Sequence, residues 1–240
     1  MDMTEQKNDF GVGSVEQNII RMAVPMTVAQ ILNLLYNLVD RMYIGHIPGA
    51  SSLALTGVGI TFPIISMITA FANLFGMGGA PLCSMARGRR DYDAAKRYMQ
   101  NAFWMLLAAG VVLTVTGYVI EKPLLYALGA SSVTYPYASS YLRIYLLGNM
   151  FVMVGIGMNP FINAQGFGTM GMVTVGLGAL VNIILDPLFI FVFHMGVEGA
   201  AIATIIAQFL SALWVLFFLT GEKPDLRLKI IRISAEITTQ

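Results

Sequence analysis

The chain has 240 residues, 57% of them apolar and only 11% charged, with a formal net charge of +1. Soluble domains run at roughly 45–50% apolar and about 25% charged. So few charges cannot cover a water-facing surface, which excludes a soluble globular domain. A near-neutral chain without a long basic run also lacks the electrostatic footprint of a nucleic-acid binder. The composition fits an all-α polytopic membrane protein.

The charges are bunched, and the longest uncharged stretches are Met42–Ala86 and Ile144–Leu185. A helix needs about 20 apolar residues to cross a hydrocarbon core about 30 Å thick, so each of these stretches exceeds one span. In chain order, residues 1–17 read as a polar cytoplasmic tail without the features of a signal peptide. Six spans are then predicted: Asn18–Gly45, Leu53–Ser84, Ala95–Ile120, Tyr135–Ile162, Thr169–Phe193 and Gly199–Leu219. Turn-forming strings separate them: HIPGASS, ARGRRDYDAA, EKP followed by GASS, QGFG, and HMGVEG. Residues 18–221 thus form a six-helix bundle, followed by residues 222–240.

Positive charge sets the expected orientation. One side collects Lys7, Arg21, Arg87, Arg89, Arg90, Lys96, Arg97, Lys223, Arg227, Lys229 and Arg232, which is 11 of the 14 Lys and Arg. The other side has Arg41 and Lys122, with Arg143 inside the fourth span, where it reads as a residue snorkelling towards the outer interface. Both termini are therefore expected in the cytoplasm and the protein in the cell (plasma) membrane. The single Cys83 cannot make a disulfide within the chain and reads as a small buried hydrophobe. The 24 glycines suit close helix contact in lipid. The 16 methionines read mainly as gap-fillers, with a further use in a cavity that accepts varied ligands.

Most of the 13 acidic residues fall in tails or turns; Asp40 and Asp186 do not. A carboxylate at mid-bilayer costs about 2.5–3.5 kcal/mol on insertion scales, so it is expected to face a cavity or a partner. The first and fifth spans run in the same direction. Counting about 1.5 Å per residue from their outer ends brings the two acids to one level, in the outer half of the membrane. Asn33, Asn37 and Asp40 share one face of the first helix; Tyr36 flanks that stripe and Gln30 continues it. Asn182 lies one turn before Asp186, and Pro187 cannot donate to the carbonyl of Ile183. On the sixth span Thr204, Gln208 and Ser211 form another stripe, with Thr204 level with the acids. Such hard oxygen donors suit Na+ or a proton. The plainer alternatives are that Asp40 anchors Arg41 at the interface, and that Gln208, Ser211, Asn149 and Asn163 are interhelical glue.

GFGTMG, Gly166 to Gly171, has dinucleotide-binding spacing, but it lies between membrane helices instead of after a strand, so it reads as a turn. With no H-E-x-x-H, G-x-S-x-G or P-loop, and with His46 and His194 each just past a helix end, no enzyme or organic cofactor is expected.

The run VPMTVAQILNLLYNLVDRMYIGHIPG, with LALTGVGITFPI, GMGGAPLCSMARGRRDYDAAKR and GLGALVNIILDPLFIFVFHMGVEGAAIATIIAQ, resembles the start of MATE (multidrug and toxic compound extrusion) transporters. NIILDPLFIF and GVEGAAIAT are the most specific parts. The likeness runs from about Val15 to Gly221 and is to the N-terminal half of the bacterial drug-efflux branch. It implies export of organic, often cationic and amphipathic drugs, driven by inward Na+ or H+. It also implies a cation site at Asp40, Asn182, Asp186 and Thr204, and a substrate cavity lined by Gln30, Tyr36, Asn37 and Asn159, to which the Asn33 stripe belongs. Family members have about twelve helices in two lobes, which implies that residues 18–221 are one lobe and residues 222–240 the start of a cytoplasmic inter-lobe linker cut short, and that the expected partners are the bilayer, a drug and a second lobe. Two other functions fit the same spans. One is a flippase for lipid-linked precursors, whose cavity would be richer in Arg and Lys; the other is a membrane scaffold that transports nothing alone.

Overall fold

The computed structural model of the chain describes residues 14–47, 51–222 and 224–228. Among them run seven α-helices: α1 (Val15–Ile44), α2 (Ser51–Gly88), α3 (Tyr92–Ala127), α4 (Tyr135–Leu147), α5 (Asn149–Ala164), α6 (Gly168–Pro187) and α7 (Gly196–Thr220). A π-helical turn, Leu188–Val192, continues α6. Five helices, counting α6 with its π turn as one, are long and apolar enough to cross a membrane, and α4 with α5 makes a sixth, bent span. Side-chain oxygens cap two of the starts. Ser14 Oγ accepts from the Gln17 amide at 3.3 Å and Asp91 Oδ1 from the Ala94 amide at 2.9 Å, relieving the unpaired N–H groups of a first turn.

Two expectations need correction. The third span does not end at Ile120, because α3 continues through Glu121, Lys122 and Pro123 to Ala127. With 36 residues it is about 54 Å long, well beyond the hydrocarbon core, and the string EKP lies inside a helix. Glu121 is therefore not a loop acid: it is 4% exposed and paired with Arg143. The fourth span is not one rod either. It breaks at Gly148, where α4 and α5 meet at 60°. At this bend α7 comes close: a Cβ on Gly148 would lie 2.5 Å from Ile205 Cγ1, so the position favours glycine.

α1 lies along α6, α2 packs on α3 and α5, and α7 packs on α4, α5 and α6. The core is centred on Phe161, Met153, Met158, Leu106, Leu142 and Leu146, all essentially inaccessible. Helix α1 contributes only Ala29 and Ile44 to the buried set, and Leu34 and Leu38 are turned outward. That is the expected burial of a helix whose partners include lipid. Tight crossings rest on small residues: at Gly76 an added Cβ would press into the carbonyl oxygen of Gly157, so α2 and α5 touch backbone to backbone.

Beyond α7 the chain folds back on one end of the bundle. Asp225 pairs with Arg87 at 2.6 Å, the Leu226 amide donates to Gln165 Oε1 at 2.9 Å, and Leu226 and Leu228 are buried. Arg227 therefore shares an end with the α2–α3 turn and its Arg87, Arg89 and Arg90. Lys7, Lys223, Lys229 and Arg232, most of the 1–17 tail and residues 229–240 of the expected linker lie outside the described residues.

Replacing Gly76 with Val should force the α2–α5 crossing apart, with a stability loss of about 1–3 kcal/mol. Thermal unfolding of the purified chain in detergent checks this, and Gly78→Val, which meets open space, is the control.

Candidate functional site

Asp40 and Asp186 reach each other because two helix geometries coincide. On α1 the spacing of Asn33, Tyr36, Asn37 and Asp40 keeps these side chains on one face, and α6 lies along that helix. On α6, Pro187 ends the regular helix immediately after Asp186, and the backbone passes into the π turn. Helix breaks of this kind are where membrane transporters place ion ligands.

The carboxyl groups of Asp40 and Asp186 are close enough to share a hydrogen bond when one of them carries a proton. Asp186 is fully buried and Asn182 nearly so. Asn182 Nδ2 donates to Asp186 Oδ1 at 3.1 Å and more loosely to Thr204 Oγ1 at 3.4 Å; Thr204 donates to the Ala200 carbonyl at 3.0 Å. The four residues Asp40, Asn182, Asp186 and Thr204 thus come together from α1, α6 and α7. Three buried oxygens in this group lack a donor: Asp40 Oδ1, Asn182 Oδ1 and Asp186 Oδ2. An unsatisfied buried acceptor costs about 1–3 kcal/mol, and three in one place form a set that a proton or a hard monovalent cation would satisfy. Among the described residues no three His, Cys, Asp or Glu side chains gather as a metal cluster.

Two tyrosines complete the surroundings and were missed at the level of sequence. Tyr141 lies close to Thr204 and the two acids, and Tyr145 lies near Tyr36. Both are buried, and their rings stack 6.3 Å apart. The available signal was their four-residue spacing within an otherwise apolar span.

Against this group lies a cavity of about 520 Å³ walled by α1, α2, α5, α6 and α7, within the size range of drug-binding pockets. Tyr36, Asn182 and Thr204 belong to both the acid group and the cavity wall, while Asp40 and Asp186 sit behind that wall. Gln30, Asn33 and Asn159 also line it. Asn37 does not; its Nδ2 turns back to the Asn33 carbonyl at 2.7 Å and Oδ1 at 2.9 Å. Among the described residues no charged side chain lines the cavity, but carboxamides do: Gln30 and Asn33 of α1, Asn73 of α2, Asn159 and Asn163 of α5, Asn182 of α6 and Gln208 of α7. Met26 and Met77 supply thioethers. Asn73 and Thr69 escaped the sequence reading, although their four-residue spacing in the second span follows the rule applied to the first.

Glue and cavity roles separate clearly in some cases. Asn149 Nδ2 donates to the Gly110 carbonyl and to Thr114 Oγ1, both at 3.0 Å, and lies away from the cavity wall. Ser211 both lines the cavity and ties α7 to the Thr174 carbonyl at 3.2 Å. Arg143 lies outside the cavity wall, with its Nε 2.7 Å from Glu121 Oε2. Arg41 stacks over the Phe62 ring at 4.8 Å.

Residues 25–188 match the MatE family model. Curated relatives include the multidrug export protein MepA of Staphylococcus haemolyticus, 27% identical over 226 residues, covering 94% of this chain and 50% of the relative. The MepA protein of Staphylococcus saprophyticus is 28% identical over 240 residues, with 98% and 52% covered. A solved structure described as the outward-facing conformation of a multidrug resistance MATE family transporter superposes with a TM-score of 0.85 at 26% identity, covering 98% of this chain and 51% of that one. A MOP superfamily transporter from Pyrococcus furiosus, described as having a binding pocket of reverse polarity that suggests a different function, also gives 0.85 at 26%, with 96% and 50% covered. The chain spans about half the length of the curated relatives it matches.

Asn149→Leu should lower stability by about 1 kcal/mol, the scale of an interhelical hydrogen bond in lipid, and leave binding of a fluorescent drug unchanged. Gln30→Leu, on the cavity wall, should do the reverse, weakening the drug with little change in melting. Fluorescence anisotropy and thermal unfolding on the same samples check the pair.

Proposed function

The chain belongs to the MatE family, and we propose that it is one lobe of a cation-coupled exporter of organic, often cationic and amphipathic drugs. The observation that carries this reading is the adjacency of two elements. A carboxamide-lined cavity of about 520 Å³, without a charged side chain among the described residues that wall it, shares Tyr36, Asn182 and Thr204 with the pair formed by half-buried Asp40 and fully buried Asp186. A proton or Na+ entering the pair alters residues that also form the substrate wall, so ion and drug compete through shared side chains. Coupling of this kind is a differential affinity between two ligand states and is reciprocal.

In this reading Asp40 and Asp186 carry the ion, Asn182 and Thr204 hold the carboxyl groups in place, and Gln30, Asn33, Tyr36 and Asn159 contact the drug. The chain sits in the plasma membrane with both ends in the cytoplasm, as the gathering of arginines at one end supports. A second six-helix lobe supplies the facing wall, and rocking of the two lobes gives alternating access. The flippase alternative finds no support in the cavity, because a pyrophosphate-bearing lipid calls for Arg or Lys on the wall and neither is there among the described residues.

In cells carrying the gene, Asp186→Asn should abolish ion-driven efflux of a fluorescent organic cation, and undiminished efflux by that variant would sink the mechanism. Vesicles containing only the purified 240-residue chain distinguish an autonomous transporter from a lobe or scaffold, since the latter two give no flux by themselves.

A further inference from the structure

Among the described residues, Glu121 is the one buried acid that the proposed transport cycle leaves without a task. It is 4% exposed, near the outer end of α3, and a lone carboxylate there would be expensive. Its hydrogen-bond partners all come from α4. Arg143 Nε donates to Oε2 at 2.7 Å; Ser139 Oγ donates a short hydrogen bond to Oε1; and Tyr135 OH approaches the same oxygen at 3.5 Å. Residues 135, 139 and 143 are successive turns of one helix face, so a single carboxylate is gripped by a comb of three donors. On the same side of the bundle, Tyr118 OH of α3 donates to the Arg143 carbonyl at 2.6 Å.

The opposite side of α4 faces the ion pair. Tyr141 and Tyr145 lie about 140° round the helix from that comb, at 3.6 residues per turn. Tyr141 lies close to Thr204 and the two acids. Helix α4 has only 13 residues and is separated from α5 by the break at Gly148. Continuity with α5 therefore does not set its rotation. Its other polar ties to the bundle are a long one, Thr114 Oγ1 to the Leu146 carbonyl at 3.4 Å, and an exposed one, Ser140 Oγ to Glu198 Oε1 at 3.0 Å. The buried, charge-assisted grip is the one on Glu121.

We propose that Glu121 is a positioning residue for the Asp40–Asp186 site: by holding one face of α4 it fixes the rotation and depth at which Tyr141 and Tyr145 meet the acids. The inference rests on reading those acids as an ion-binding pair. It adds a control point on a helix that contributes nothing to the cavity wall, at the far side of α4 from the ion.

The test uses the full chain in lipid nanodiscs, titrated with Na+ at alkaline pH and, separately, with acid in the absence of Na+. The infrared carboxyl band of the pair is isolated by subtracting the spectrum of Asp186→Asn. Glu121→Gln and Arg143→Met should each displace the ion midpoint by about fivefold, the scale of one lost hydrogen bond, in the same direction as Tyr141→Phe. Arg143→Lys should stay near the unsubstituted chain. Glu121→Gln added to Tyr141→Phe should shift the midpoint no further than Tyr141→Phe alone, because the two act through one contact. Unshifted midpoints in both Glu121→Gln and Arg143→Met, with secondary structure intact by circular dichroism, would overturn the proposal; so would additive shifts or an unaffected Tyr141→Phe. If Glu121→Gln fails to fold, Arg143→Met against Arg143→Lys decides alone, since Glu121 then keeps its Ser139 and Tyr135 donors. An unsubstituted chain without any saturable response overturns the ion-pair reading itself, and the positioning role with it.

Discussion

Lipid offers no hydrogen bonds, so each polar side chain in this bundle must find its partner inside the protein or wait for a ligand. That constraint orders the whole structure. Asn149 settles on Gly110 and Thr114, Ser211 on Thr174, Gln165 on the returning chain at Leu226, and Glu121 on Arg143 and Ser139. Against that background the unsatisfied oxygens are conspicuous. Asp40 Oδ1, Asn182 Oδ1 and Asp186 Oδ2 are concentrated at one point between α1 and α6, and Asn159 Oδ1 and Asn163 Oδ1 lie on the cavity-lining helix α5. Among the described residues five of the seven buried side-chain atoms without a partner lie at the acid pair or on α5 beside the cavity, where an ion or a drug would sit; Asn149 Oδ1 and Trp214 Nε1 are the exceptions.

The helix irregularities serve the same end. Pro187 stops α6 directly after Asp186, and the π turn that follows redirects the chain. The bend at Gly148 frees α4 from α5, so α4 can carry two sets of side chains with different duties. Its one face meets Glu121 and its other brings Tyr141 and Tyr145 to the acids. Close backbone approach at Gly76 and Gly148 lets these elements assemble without the charged surface that a soluble protein would use.

The spans, their approximate number and the matching positions of Asp40 and Asp186 along their helices were legible because each depends on a one-dimensional property: the spacing of charges, a fixed rise per residue, or the repeat of a helix face. Asn182, Asp186 and Thr204 could be grouped by counting from helix ends. The same counting failed for Glu121, since a lysine and a proline beside it imitate a turn, and nothing local reveals that α3 continues and that α4 places three donors opposite. It failed for Tyr141 and Tyr145 too, whose importance comes from which helix lies behind them.

The sequence by itself thus determined a multi-pass helical membrane protein, its family resemblance and the matching positions of Asp40 and Asp186 along their helices, because hydropathy and helical periodicity act along the chain. Only the tertiary structure decided which helices adjoin, that the fourth span is broken, that Asn37 turns away from the cavity wall while Asn73 lines it, and that a third buried acid grips α4. Those outcomes depend on steric fit between elements distant in the chain, such as Ile205 against Gly148, and on donors that meet their acceptors only once the helices have packed.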